Sequence, residues 1–194
     1  MDKIVDSLTN YYKIKGYVPL DKVEIYRYGF KLILSDIFNF FLVISIGFIL
    51  GETLSGIVFL ITLCSIRQYS GGFHAKTFWL CRVSLLITFL CVIYITHFII
   101  SMPFIIIIVS LLNMLSITLI SILAPVKHPN KRLTHKQRLR NKKNAVISSI
   151  LFSVISIVLT LFNIVEGVTV ATTLLSVVIL MIIGISILKG ANYN

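Results

Sequence analysis

Charge is scarce in this chain: 13% of its 194 residues are Asp, Glu, Lys or Arg, and only seven are acidic. With 57% hydrophobic residues and a mean hydropathy of +0.98, too little polar material remains to clothe a water-soluble surface, which excludes an ordinary globular domain. Cysteine is scarce too. There are three, none in a CxxC pair, which argues against a disulfide framework or a zinc site, so no metal or cofactor is expected. Within the apolar runs acid is nearly absent. Asp36 stands almost alone there, so nothing suggests the mid-bilayer proton or ion relay of a pump.

What the chain has in abundance is apolar runs. A bilayer core about 30 Å thick takes roughly 20 apolar residues of helix. Leu32–Leu50, Leu80–Ile100, Pro103–Ala124, Asn144–Val165 and Val168–Leu188 each meet that length. Leu54–Ile66 does not, since its run of about 13 residues would rise only about 20 Å. Either neighbours extend it, the bilayer thins, or the stretch 67–79 dips below the membrane surface. The expectation is an all-α integral membrane protein, residues 1–194 forming one membrane domain, with six transmembrane helices, one short, preceded by an interfacial helical segment.

Basic residues mark the cytoplasmic side. Six precede the first span, three fall between Arg67 and Arg82, eight between Lys127 and Lys143, and Lys189 follows the last, while the other three connections have none. Six crossings put all eighteen on one face, with both termini, 67–79 and 125–143 cytoplasmic in a cell membrane; five would place the eight bases of 125–143 outside, opposite the six that precede the first span. Glu52 and Glu166 mark two opposite connections.

Residues 1–31 mix four acids with six bases and hold no apolar core, so they do not read as a signal peptide. Ile4, Leu8, Tyr11 and Tyr12 repeat at helical spacing up to a break at Gly16 to Pro19, after which Asp21 can cap a stretch presenting Val23, Tyr26 and Phe30. This segment reads as a lead-in lying on the membrane, or as a platform for an amphipathic peptide. The basic loop, "PVKHPNKRLTHKQRLRNKK", carries Lys131, Arg132, Arg138 and Arg140 without any base-stacking aromatic, which argues for contact with anionic lipid or an acidic peptide and against nucleic acid. His128 and His135 have no cysteine or acid beside them to complete a metal site.

Cys64 and Cys91 sit inside apolar runs, where a cysteine is usually an unreactive small hydrophobe. Cys81 is different. It lies about one turn from the start of the third span, next to Arg82 and after Lys76, and a helix N-terminus with positive charge nearby favours the thiolate that attacks carbonyls. His74 is the histidine on the same face. On one unbroken helix the two would be about 10 Å apart in rise, too far for a dyad, so the chain has to fold back, and Gly71 and Gly72 permit a sharp turn. His97 should lie toward the opposite end of the third span. Asp36, one turn inside the first span at a depth similar to Cys81, is a candidate to orient His74, or is ion-paired to Arg67, Arg82 or another base.

The run Arg67, Gly71-Gly72, His74 and Cys81, followed by "APVKHPNKRL" at 124–133, resembles the accessory gene regulator B (AgrB) family of Gram-positive bacteria, over nearly the whole chain. The resemblance implies a membrane cysteine endopeptidase that processes an AgrD-like precursor peptide during biosynthesis of a cyclic autoinducing peptide for quorum sensing, with His74 and Cys81 catalytic and Arg67 and Gly72 as further motif positions. The loop reads "HPNKR" where members often carry a proline after the lysine. A peptide transporter, or a binding scaffold without proteolysis, would share the spans and the basic loop but would not need Cys81. Ser, Thr and Gly in the spans are compatible with helix association and a homodimer.

Overall fold

In lipid a spanning backbone must satisfy its own hydrogen bonds, and a chain of Ile-, Leu- and Val-rich runs does so as helix. The computed structural model describes residues 2–17, 19, 22–71, 78–126 and 134–191, and these form α1 (Asp2–Ile14), α2 (Val23–Ile49), α3 (Thr53–Ser70), α4 (Phe78–Ile100), α5 (Ile105–Leu123), α6 (His135–Leu161) and α7 (Val165–Ala191). Five of them, α2 and α4 to α7, are long and apolar enough to cross a membrane. This is a multi-pass, all-helical membrane protein.

The short run after Leu54 is lengthened by its neighbours. α3 has 18 residues, about 27 Å of rise, but its last turn spends that length on Arg67, Gln68 and Ser70, so its composition stays below that of the other five. Its protection is position. Ser55, Gly56, Phe59, Leu60, Thr62, Leu63, Ile66 and Ser70 are buried, packed against α2, α6 and α7.

α7 is the centre of the bundle. In its apolar window 56% of residues are buried, against 22–28% in the other four crossing helices, and it packs on α3, α4, α5 and α6. Small and β-branched residues let those backbones approach. At Gly167 the approach is closest: a Cβ there would lie 2.5 Å from the Thr160 backbone nitrogen and 2.7 Å from the Ser156 carbonyl oxygen. The Ser156 hydroxyl receives a hydrogen bond from Asn113 Nδ2 at 3.1 Å and donates to the Gly167 carbonyl at 2.6 Å. The Thr96 and Thr172 hydroxyls, 3.0 Å apart, join α4 to α7.

Contacts between helices fix their ends. Gly56 faces Phe89, and His97 Nε2 lies 2.8 Å from Glu52 Oε1, which puts the end of α4 beside the start of α3. The Arg82 guanidinium lies over the Phe38 ring at 4.5 Å, so the start of α4 meets α2 near Asp36. The amide of Val126 donates to the Ser70 carbonyl, bringing the end of α5 to the end of α3. The basic sequences at the helix ends thus collect at one end of the bundle, and Glu52 and His97 mark the other.

Two details differ from the sequence expectation. α2 starts at Val23, nine residues before the apolar run, with Lys22 rather than Asp21 at its N-cap and no side-chain cap bond there. α6 starts at His135, inside the basic stretch, because Thr134 and Gln137 form a reciprocal capping box that satisfies two otherwise unpaired amides. In α1 Ile4 and Tyr11 of the apolar stripe face outward, the side that a segment lying on the membrane presents to lipid, and Val5 and Thr9 are the buried positions. α1 is tied to α2 by Arg27 Nε to Asp6 Oδ1 at 2.8 Å and by the Tyr12 and Phe30 rings, stacked 5.4 Å apart.

Candidate active site

α3 ends because Gly71 adopts φ +71° and ψ −156°, a conformation L side chains rarely enter. Its amide still closes on the Arg67 carbonyl at 3.0 Å. Immediately before it, Ser70 is fully buried, and its carbonyl accepts from Val126 N at 2.9 Å. A Cβ at position 71 would lie 3.3 Å from the Val126 carbonyl oxygen. Ser70–Gly71, at the start of the diglycine motif, and Ala124–Val126, far apart in sequence, are therefore clasped backbone to backbone.

α4 begins at Phe78, and Cys81 is its fourth residue, half-buried. The first amides of a helix lack intrahelical partners, so a reacting carbonyl oxygen brought to this turn would meet N–H dipoles pointing the right way. Arg82 follows, held over Phe38. Cys64 and Cys91 are both exposed on outward helix faces rather than packed in the core, since the medium facing them is itself apolar.

Asp36 is exposed on α2 and lies in the field of Arg67, and the charges of Asp36 and Arg67 both act on Cys64. The neighbourhood of Cys64, and the junction at Ser70 and Val126, were not found from sequence, although glycine pairs and an Ala-Pro step are ordinary marks of helix ends.

His74, Gly72, Lys131 and Arg132 lie outside the described residues, as does the rest of 72–77 and 127–133. Those two stretches spring from the clasped ends. Arg138 and Arg140 stand on α6, in its first two turns. His97 is at the opposite end of the bundle, bonded to Glu52.

Comparison with known proteins follows the same residues. The chain matches the family model for accessory gene regulator B over residues 1–188. It is similar to protein FsrB of Enterococcus faecalis (strain ATCC 47077 / OG1RF), 27% identical over 85 residues; the match spans 43% of this chain and 35% of that protein, so it covers about a third of the relative's length. No solved structure matches. With its matched span running through the clasped motifs, the Cys81 turn and the whole bundle, this chain belongs to the accessory gene regulator B family.

Proposed function

We propose that this protein is a membrane cysteine endopeptidase that removes the C-terminal segment of a quorum-sensing propeptide and passes the remainder on as a cyclic product. Family membership gives it a role in an agr-type quorum-sensing system; the reaction and its residues are inferred. The observation that carries the reading is the placing of Cys81, half-buried in the first turn of α4, while Cys64 and Cys91 face outward from helix interiors.

The Cys81 thiolate attacks the carbonyl carbon of one peptide bond, with His74 as the base that takes the thiol proton. Collapse of the tetrahedral intermediate breaks the C–N bond, His74 returns the proton to the leaving amine, and the upstream peptide remains as a thioester on Cys81. A cysteine thiol or serine hydroxyl upstream in that peptide attacks the thioester and frees Cys81, closing a thiolactone or lactone. Water competes for the thioester, so the site must hold the internal nucleophile close and keep water scarce. A half-buried cysteine at the membrane end of a bundle suits that need. Asp36, in the field of Arg67, is an orienting group for His74 in this scheme.

The topology that goes with this reading has six crossings. α3 is the sixth, tolerable despite its polar last turn because α2, α6 and α7 shield it, and both termini and the active site then lie on the cytoplasmic side. The basic residues Lys131, Arg132, Arg138 and Arg140 attract an acidic precursor segment to that face, and a homodimer is compatible with it.

The test is co-expression with a small AgrD-type precursor and mass spectrometry of its fragments at matched membrane levels. Processing should vanish in Cys81→Ala and His74→Ala and persist in Cys64→Ala and Cys91→Ala. A cleaved fragment from Cys81→Ala would sink the proposal.

A further inference from the structure

α5 and α6 meet along two buried stripes of the same spacing. Val109, Asn113, Ser116 and Ile120 form the buried face of α5, and Ser149, Ser153, Ser156 and Thr160 that of α6 beyond Ala145. α5 ends and α6 begins at the basic end of the bundle, so the two neighbours run antiparallel, and the Asn113–Ser156 hydrogen bond sets their register. One turn from that pair, on along α5 and back along α6, Ser116 comes opposite Ser153. The flanking rungs set Val109 opposite Thr160 and Ile120 opposite Ser149.

Three of these rungs fill themselves. Val109, Asn113 and Ile120 supply bulk, and the hydroxyls across from them donate to carbonyls: Ser149 to Val146 at 2.8 Å, Thr160 to Ser156 at 2.8 Å and Ser156 to Gly167 at 2.6 Å. The Ser116–Ser153 rung does neither. Serine faces serine there, leaving the rung about two heavy atoms short of its neighbours, and among the described residues neither hydroxyl has a hydrogen-bond partner. Asn113 borders the rung with its Nδ2 on Ser156 and its Oδ1 likewise unmatched among the described residues. Asn113, Ser116 and Ser153 are only 2%, 0% and 4% exposed, so lipid and bulk water do not reach them.

Each unmet group bears its desolvation cost in full, and three of them lie within one turn. The occupant that relieves them is small and uncharged, and it must donate to Asn113 Oδ1, which only accepts, while exchanging bonds with hydroxyls that do either. A sodium ion could touch the same oxygens, but the eight side chains of the seam include no carboxylate to balance its charge, and a bare buried charge is far costlier than a bare dipole. Water meets every condition. One hydrogen goes to Asn113 Oδ1, the other to one serine oxygen, and a lone pair takes the hydroxyl of the second serine, the complement of about three bonds that a buried water usually makes. We infer that the Ser116–Ser153 rung is a binding site for one structural water molecule, held by Asn113, Ser116 and Ser153 between α5 and α6. Through Asn113 and Ser156 that water is linked to the Gly167 carbonyl, so one polar chain joins α5, α6 and α7 inside the apolar bundle. The site takes no part in the proposed proteolysis and stands whether or not Cys81 is a nucleophile.

The full chain, isotopically labelled, is placed in bilayers of deuterated lipid, and magnetisation transfer from the water line to carbon-bound side-chain protons is recorded by nuclear magnetic resonance. Leu115 and Val154, next in sequence to the two serines and exposed on outward faces, report water that enters the lipid. Ser149 and Thr160, whose hydroxyls are already bonded, report relay through exchanging hydroxyl protons. Transfer is expected at Asn113, Ser116 and Ser153 and at none of these controls. Ser116→Val, which gives the rung the bulk of its neighbours, should abolish it at Asn113 and Ser153. Absence of transfer in the wild-type chain, or equal transfer at Ser149 and Thr160, would overturn the site without any variant having to fold. Transfer that persists at Asn113 in Ser116→Val would overturn it too. An Asn113 carboxamide resonance that moves when choline replaces sodium in the buffer would give the site to a cation instead.

Discussion

The Val126 amide donates to the Ser70 carbonyl at 2.9 Å, and through this one bond the two motif segments that flank 72–77 and 127–133 share a root. Gly71 makes it possible by its positive φ and by leaving room for the Val126 carbonyl. Gly71→Ala would cost about 1–3 kcal/mol for a positive-φ, extended-ψ backbone that is essentially glycine's alone and press on the Val126 carbonyl as well. Precursor cleavage should fall about tenfold or more, as that strain would imply if it shifts the site, at matched membrane levels. Quantitative mass spectrometry of the cleaved fragment measures it; cleavage at the wild-type rate would show that the clasp does not position the site.

Gly167 and Gly29 make an opposed pair. At Gly167 an added methyl meets backbone atoms of α6 at 2.5–2.7 Å, and backbone cannot swing aside, so Gly167→Ala should destabilise by about 1–3 kcal/mol. At Gly29, in α2, the same methyl meets nothing within 4 Å, and Gly29→Ala should stabilise by about 0.5–1 kcal/mol through helix propensity. Thermal unfolding in one detergent, read for both variants, checks the opposite signs.

His97 serves as the control for His74. Its bond to Glu52 at 2.8 Å joins a half-exposed imidazole to a carboxylate that also accepts from Ser55 Oγ at 2.7 Å. An exposed pair of this kind contributes at most about 1 kcal/mol. His97→Ala should therefore leave processing within about twofold of wild type, whereas His74→Ala should abolish it if His74 is the proposed base. A loss of processing in folded His97→Ala would break the assignment of the base.

Sidedness separates six crossings from five. In a cysteine-free background, single cysteines at Lys3 and Lys142 should be labelled by a membrane-impermeant maleimide from one side, and cysteines at Leu50 and Phe162 from the other. If α3 does not cross, the Lys3 and Lys142 positions fall on opposite sides.

The spans were legible because lipid imposes a length and forbids unpaired backbone, demands that Leu80–Ile100 or Pro103–Ala124 state outright. Which side of each span faces protein was not. Ile4 and Tyr11 of the apolar stripe of α1 point outward, and Cys64 and Cys91 lie exposed, because in a bilayer apolar character does not distinguish lipid from core. The buried face is better marked by small and hydroxylated residues, as at Ser149, Ser153, Ser156 and Thr160 on α6. The start of α6 was written in Thr134 and Gln137, but the density of charge around them resembles a loop. At the candidate site, sequence supplied residue types and spacing; it could not supply the Ser70–Val126 bond, a pairing of backbone atoms that no side chain announces.

The central place of α7 has a bearing on how the chain is made. A ribosome delivers α2 to α6 into the membrane before the helix on which α3 to α6 all pack exists. Until Val165–Ala191 arrives, Phe59, Leu63 and Phe89 have no finished core to enter, and Ser156 has no Gly167 carbonyl to bond. The earlier helices can pair before then, as Asn113 of α5 does with Ser156 of α6, but the core they share with α7 closes only once Val165–Ala191 is in place.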